Sequence, residues 1–277
     1  MVLFRNLRKT VVALLVIIPA AGTASASDDL GLWTSVGADY GLAKGLSAQM
    51  EAEYRLQDNL KETDRWAVGA SLSARLYRNQ AKTFSVKGQL GYRYMNVYKP
   101  SEIVWKGFDP KDIQQLHQEY NLNDAYQQAK HRFQASVQAG LEVGRFKFTL
   151  RQRYQLTLTD SVAVTETKYR YSKALDDTFA KSEETEWKGT DTSVGLMRTR
   201  IAASYNIPHS KLEPFVSYEA FETFRDGFGI SKNRYQAGMD YTFRKKHEFE
   251  IYYMYQSMSD ADEASGSVIG LGYTFKF

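Results

Sequence analysis

The stretch Ser267–Phe277 reads SVIGLGYTFKF, and its alternation decides the fold. Ile269, Leu271, Tyr273, Phe275 and Phe277 take every second position, with Val268, Gly270, Gly272, Thr274 and Lys276 between them. A side-chain period of two belongs to a strand whose faces meet different surroundings. Taken alone, the stretch fits two settings. One is an amphipathic edge strand of a soluble domain. The other is a strand of a transmembrane barrel, with its small and polar side inward and its aromatic side against lipid.

The rest of the chain repeats the pattern. Leu46–Leu56 puts Leu46, Ala48, Met50, Ala52, Tyr54 and Leu56 on one face and Ser47, Gln49, Glu51, Glu53 and Arg55 on the other. Leu32–Leu42, Arg65–Tyr77, Thr83–Tyr94, Arg132–Val143, Phe146–Leu158, Met197–Tyr205, Arg234–Phe243 and Glu248–Tyr255 alternate in the same sense. Gln152 is a polar exception on an apolar face. Pro214–Ala220 is the least regular, because Phe215 and Phe221 fall on its polar side. With the final strand these make eleven candidates, each close to the ~9–11 residues of a tilted membrane strand. Arg and Glu on one consistent face, with aromatics on the other, is the inverted pattern of a membrane barrel. The expected fold is an all-β, antiparallel transmembrane β-barrel of about 10–12 strands.

Composition and leader agree. The 277 residues include no cysteine, 19 tyrosines and only 5 prolines, with a formal net charge of +4. A disulfide framework and a lipoprotein anchor are therefore excluded, and no basic block resembles a nucleic-acid arm. Mean hydropathy is −0.48, so membrane spans in the mature chain must be strands. Arg5, Arg8 and Lys9, the apolar Val11–Ile18 and the small residues ending Ala24-Ser25-Ala26 form a secretory signal peptide over residues 1–26. Residues 27–277 are then the barrel, placed in a Gram-negative outer membrane. Tyr273, Phe275 and the terminal Phe277 resemble the insertion signal that the barrel-assembly machinery reads.

Connections set the orientation. If the C-terminus is periplasmic, Gln57–Thr63, Lys99–Lys130, Thr159–Ser193, Arg225–Ser231 and Ser259–Gly266 lie outside the cell and the tight turns lie in the periplasm. Long outer loops and short periplasmic turns characterise such barrels. One conflict follows, because their strand count is normally even. Either Leu32–Leu42 is not a regular strand, leaving ten, or a further strand makes twelve.

LWTSVGADYGLAKGLSAQMEAEYRLQDN (32–59), GQLGYRYMN (88–96), HRFQASV (131–137) with FTLRQRYQ (148–155), PFVSYEAF (214–221) and NRYQAGMDYTF (233–243) together resemble an uncharacterised outer-membrane β-barrel family, domain of unknown function 2490. The resemblance implies an outer-membrane barrel and brings no catalytic residue with it.

The facing places a basic ladder in the lumen: Arg55, Arg65, Arg75, Arg93, Arg132, Arg151, Arg153, Arg198, Arg200 and Arg234, joined by Lys87, Lys147 and Lys276. The lumen acids are Asp39, Glu51, Glu53, Glu142, Glu219, Asp240, Glu248 and Glu250. Like-signed charge in a low-dielectric tube concentrates counter-ions, which points to a narrow channel favouring anionic solutes. A barrel of this width also suits a side-chain-filled, salt-bridged interior. Glu142 and Glu219 are the nearest acids expected for Arg151, Arg153, Arg198 and Arg200.

Three lesser features complete the reading. Asp109–Tyr120 has the cap, the proline and the apolar stripe of a short helix over the barrel mouth. Its alternative role, with the second long loop, is surface binding or adhesion. No Gly-x-Ser-x-Gly elbow is present, and His117, His131, His209 and His247 are scattered, so neither an enzyme nor a cofactor is expected; an outer-membrane lipid-modifying enzyme using His131 or His117 is the last alternative. The clusters Asp176-Asp177, Glu183-Glu184-Glu186 and Asp260-Asp262-Glu263 read as solvated loop. Divalent cations bridging lipopolysaccharide are the alternative there, and no metal site has zinc spacing. Expected partners are outer-membrane lipid and lipopolysaccharide, the barrel-assembly machinery and anionic solutes, with no nucleic acid.

Overall fold

The computed structural model describes residues 29–106, 119–171, 179–188, 192–223, 229–258 and 266–277. The leader, His117 with most of the expected helix, and the clusters Asp176-Asp177 and Asp260-Asp262-Glu263 lie outside the described residues.

Fifteen strands are present among the described residues. Eleven close into a barrel: β1 (Asp29–Ala43), β2 (Leu46–Gln57), β3 (Glu62–Arg78), β4 (Phe84–Lys99), β7 (Tyr126–Val143), β8 (Phe146–Thr159), β11 (Thr192–Tyr205), β12 (Leu212–Thr223), β13 (Gly229–Phe243), β14 (His247–Met258) and β15 (Gly266–Lys276). They follow one another around the wall in chain order. Each matches one of the eleven alternating segments, to within a residue at Thr83 and Phe277, and most run further toward the loops than the alternation does.

The eleven wall strands fall within the expected 10–12, and what the structure corrects is the requirement of an even count. Leu32–Leu42 is a full wall strand, and the barrel has neither ten nor twelve. With an odd number of alternating strands, the first and last run the same way, so the closing pair must be parallel. β1 and β15 do pair in parallel, Asp29 with Gly266 through Asp39 with Lys276. Every other wall pair is antiparallel. As a result β1 starts at the loop end, beside the start of β15, and the start of β1 and the end of β15 lie at opposite rims of the wall.

The remaining strands form a second sheet in the order β10-β9-β6-β5. They are β5 (Glu102–Trp105), β6 (Tyr120–Asn123), β9 (Val162–Tyr171) and β10 (Phe179–Lys188). They lie within the two long connections at the loop end, so those segments are not structureless. Tyr120, expected as the last residue of a helix, is a strand residue whose ring stacks on Tyr169 at 4.5 Å and meets Trp105 at 5.2 Å. Glu183, Glu184 and Glu186 sit on β10, where Lys181 pairs with Glu183 at 2.8 Å and Lys188 with Glu186 at 2.5 Å.

The facing follows the alternation. Outward Met50 and Leu90 are each 67% exposed, as lipid-facing side chains in an isolated barrel should be. Two rows of aromatics bound this belt. Phe146 with Tyr205 and Phe249 with Tyr273 lie toward the turns, and Trp66 with Tyr94 and Tyr218 with Tyr235 toward the loops. Gln152, the polar exception, faces Thr199, whose hydroxyl lies 2.8 Å from its carbonyl oxygen.

The inward face is not uniformly polar. Phe215 and Phe221 are buried there, which settles the irregular strand. Inward glycines make this possible. A Cβ on Gly270 would stand 1.9 Å from the Tyr252 ring, and one on Gly238 would stand 2.7 Å from Phe215. Each ring lies over the bare backbone of the neighbouring strand. Gly270→Ala is therefore expected to displace Tyr252 and cost about 1–3 kcal/mol, as overpacking does. Reversible unfolding in lipid measures it, and an unchanged midpoint would show that the ring moves freely.

Candidate functional site: an arginine-lined lumen

Strand register, rather than sequence proximity, assembles the site. On the inward face Arg55 sits directly opposite Arg65, Arg93 opposite Arg132, Arg153 opposite Arg198, and Arg151 opposite Arg200. Like charges directly across a strand pair destabilise it, and guanidinium cannot shed its proton. Four such pairs in one tube require compensation.

Part of the compensation is built in. Glu53 takes Arg55 at 2.8 Å and Arg93 at 3.3 Å, and Glu51 takes Arg93 at 2.5 Å. Arg65 pairs with Asp64 at 2.8 Å. Buried Glu219 bridges Arg151 at 2.9 Å and Arg198 at 2.6 Å. Aromatic faces supply more. Arg55 lies 3.4 Å from the Trp33 ring centre, and Arg198 and Arg234 lie 4.4 and 4.7 Å from that of Phe221.

Arg132, Arg153 and Arg200 have no carboxylate partner among the described residues. Arg132 donates to Thr157 at 3.1 Å and Arg200 to Gln236 at 3.2 Å. Arg153 has no hydrogen-bond or ion-pair partner among the described residues, and its Nε is shielded from solvent. These groups surround a cavity of about 480 Å³ lined by ten basic and five acidic side chains. Nine of the ten ladder arginines reach it.

Two sequence expectations are corrected here. Arg75 is exposed at the turn-end rim, where its amide bonds Gly45, and is not part of the cavity. Glu142 is also exposed, opposite Lys147 near the β7–β8 turn. Only Glu219 compensates the arginine wall as expected. Sequence reasoning missed Trp33, Tyr252 and Lys232 as lining residues. Parity placed Trp33 inward, but a large aromatic on a polar face was not read as a cation partner.

The described histidines gather at no such site. His131 faces outward in the loop-end aromatic row, bonding Tyr92 Oη at 2.7 Å and Asp160 at 3.3 Å. His247 meets Tyr273 Oη at 3.0 Å near the turns. His209 lies on the β11–β12 turn, and no cluster of metal-ligating residues occurs among the described residues.

A closed barrel with an apolar exterior and a cationic interior is of the membrane-barrel type. The chain belongs to the family described as "Protein of unknown function (DUF2490)", whose model matches residues 30–265. No curated protein matches the chain. Among solved structures it is similar to the translocator domain of the autotransporter NalP from Neisseria meningitidis, at 11% identity and a TM-score of 0.44, covering 90% of each chain. It is also similar to the β domain of the Bordetella autotransporter BrkA, at 13% identity and a TM-score of 0.40, covering 84% of this chain and 82% of that one. Salmonella typhi OmpF, in complex with daunomycin, matches at 11% identity and a TM-score of 0.25, covering 81% of each chain.

Proposed function

We propose that the chain is an integral outer-membrane β-barrel whose lumen takes up small anions. The single observation that carries the reading is the arginine register. Four Arg–Arg cross-strand pairs face one cavity, and Arg132, Arg153 and Arg200 meet no carboxylate among the described residues. Removing a charge from water without a partner is costly, so a bound anion is the natural complement. Isothermal titration of the refolded protein with inorganic phosphate tests it. Saturable binding that weakens with salt is expected, and no binding at low ionic strength would overturn the reading.

The exposed apolar belt between two aromatic rows supports a bilayer location, and the leader supports export. The turn end then faces the periplasm and the β5-β6-β9-β10 sheet faces the medium. No catalytic role and no cofactor are assigned.

The final strand supports the barrel-assembly machinery as a partner. Phe277 packs on Phe275 at 4.7 Å and Tyr40 at 5.9 Å, and its amide bonds Asp39. Deleting Phe277 is expected to lower the amount of barrel in the membrane several-fold while leaving assembled molecules nearly as heat-resistant as before. Quantitative blotting of membrane fractions checks this, and undiminished levels would count against the signal.

A second reading has its own observation. The outer sheet carries Trp187 at 65% and Trp105 at 57% exposure on its two edge strands. Exposed aromatics on unpaired edges suit surface binding. Lipopolysaccharide is the partner this reading proposes, and loss of its binding on replacing both tryptophans by serine is the check.

A further inference from the structure

We infer that the arginine cavity is a blind vestibule, entered from the turn end and closed toward the loops, whose ligand is a compact oxyanion of the phosphate or carboxylate kind held by Arg132 and Arg153. The inference rests on the anion-binding reading above and adds a direction of access and the residues that hold the ligand.

Shielding runs one way along the lumen. Inward Ala67 and Met95 are each 1% exposed, Met254 3%, and Val97, Val268 and Phe221 are similarly buried. All lie on the loop half of their strands. On the turn half, inward Lys87 and Lys147 are exposed, and the buried Phe215 folds flat over Gly238 of the neighbouring strand. The closing layer is specific. Arg234 on β13 sits 4.9 Å from the Trp33 ring on β1 and 4.7 Å from Phe221. β15 and β14 separate β13 from β1 in the wall, so this contact crosses the lumen instead of following the wall. Arg93 on β4 likewise reaches over β3 to Glu53 on β2. Cation–π contacts of this kind are stronger when desolvated.

From the other side the way is continuous. A second cavity of about 220 Å³, lined by Lys147, Ser204, Glu213 and Asp240, lies on the turn half. It shares Arg151, Arg200 and Glu250 with the arginine cavity. A solute entering between the periplasmic turns meets those shared residues first and the guanidinium groups next.

The ligand class follows from the donors. Arg132 and Arg153 keep N–H groups without a carboxylate, and the Gln134–Gln155 pair lies between them in the register. A guanidinium fork matches the paired oxygens of a carboxylate or phosphate. A cation would meet the arginine wall, and a long polymer would meet the closed end.

The chain has no cysteine, so a single introduced thiol reports access cleanly. Ser217 lines the arginine cavity at mid-barrel and is nearly isosteric with cysteine. Ser217→Cys is reconstituted in liposomes, and orientation is scored by protease cleavage of the outer sheet. A membrane-impermeant, negatively charged thiol reagent is expected to modify only barrels presenting the turn end, and inorganic phosphate should slow it. In calorimetry, Arg132→Gln with Arg153→Gln should weaken phosphate binding at least tenfold. Modification at equal rates from both ends, with phosphate still bound, would overturn the vestibule and leave the anion reading intact. Binding that survives the double substitution would overturn the assignment of the holding residues. Absence of phosphate binding to the parent protein would overturn the anion reading itself.

Discussion

Replacing Arg151 and Arg198 together by methionine is expected to destabilise the barrel by about 3–5 kcal/mol, whereas Arg153→Gln alone should cost almost nothing or stabilise slightly. Glu219 explains the first result. It is 6% exposed and sits between the two guanidinium groups at 2.9 and 2.6 Å. Without them this buried carboxylate loses both of its guanidinium contacts and is left facing Arg234 across the strand pair, and breaking a buried pair is far worse than never having built it. Arg153 is the opposite case. It faces Arg198 directly and has no ion-pair partner of its own among the described residues. Neutralising it removes a repulsion and orphans nothing. Its loss should appear in anion affinity and not in stability. Adding Glu219→Gln to the methionine pair should recover much of the lost stability, because the stranded charge is then gone. Unfolding in urea with the barrel in lipid gives each value. Equal costs for Arg153 and for the Arg151/Arg198 pair would mean that the lumen is one uniform salt-bridged core.

The second large effect lies on the other side of the wall. Arginine at Leu72, Val137 or Leu150 is expected to cost about 2–4 kcal/mol near mid-bilayer. The neighbouring inward position Ser71 should accept it for far less, whereas Gln138, opposite Arg151 and Lys87, and Gln236, the acceptor of Arg200, should show an intermediate cost from like-charge repulsion. Leu72 is 54% exposed, Val137 51% and Leu150 49%, and lipid supplies no polar partner for a charge there. Outward Trp66 and Tyr241 lie in the aromatic rows, where an arginine reaches headgroups and the cost should fall toward 0–1 kcal/mol, about the interfacial value. The same unfolding series checks all eight sites. Similar costs on both faces would contradict a lipid-facing exterior, and with it the membrane location.

The sequence by itself determined the wall. A side-chain period of two is a local property of extended backbone, so each of the eleven segments could be found and faced without knowing its neighbours. It also placed nine cavity arginines on the inward face, since parity along a strand settles inside from outside. Strand number was legible as well, and the preference for an even count obscured it. The parallel closure of β1 on β15 is a relation between residues more than 200 positions apart, and no local pattern records it. The sheet of β5, β6, β9 and β10 escaped because β5 and β6 are only four residues long, β10 is charged on both sides, and the four strands are held by each other.

Only the tertiary structure decided which charges meet. Parity says that Arg151, Arg153, Arg198 and Glu219 point inward. Register says that Arg153 faces Arg198, and three-dimensional reach says that Glu219 takes Arg151 and Arg198 but leaves Arg153 alone. Glu142 had the right parity and the wrong height, since it lies near the turn and far along β7 from the wall it was expected to neutralise. Height in a barrel is set by stagger between strands, a property of the closed wall that no single strand carries.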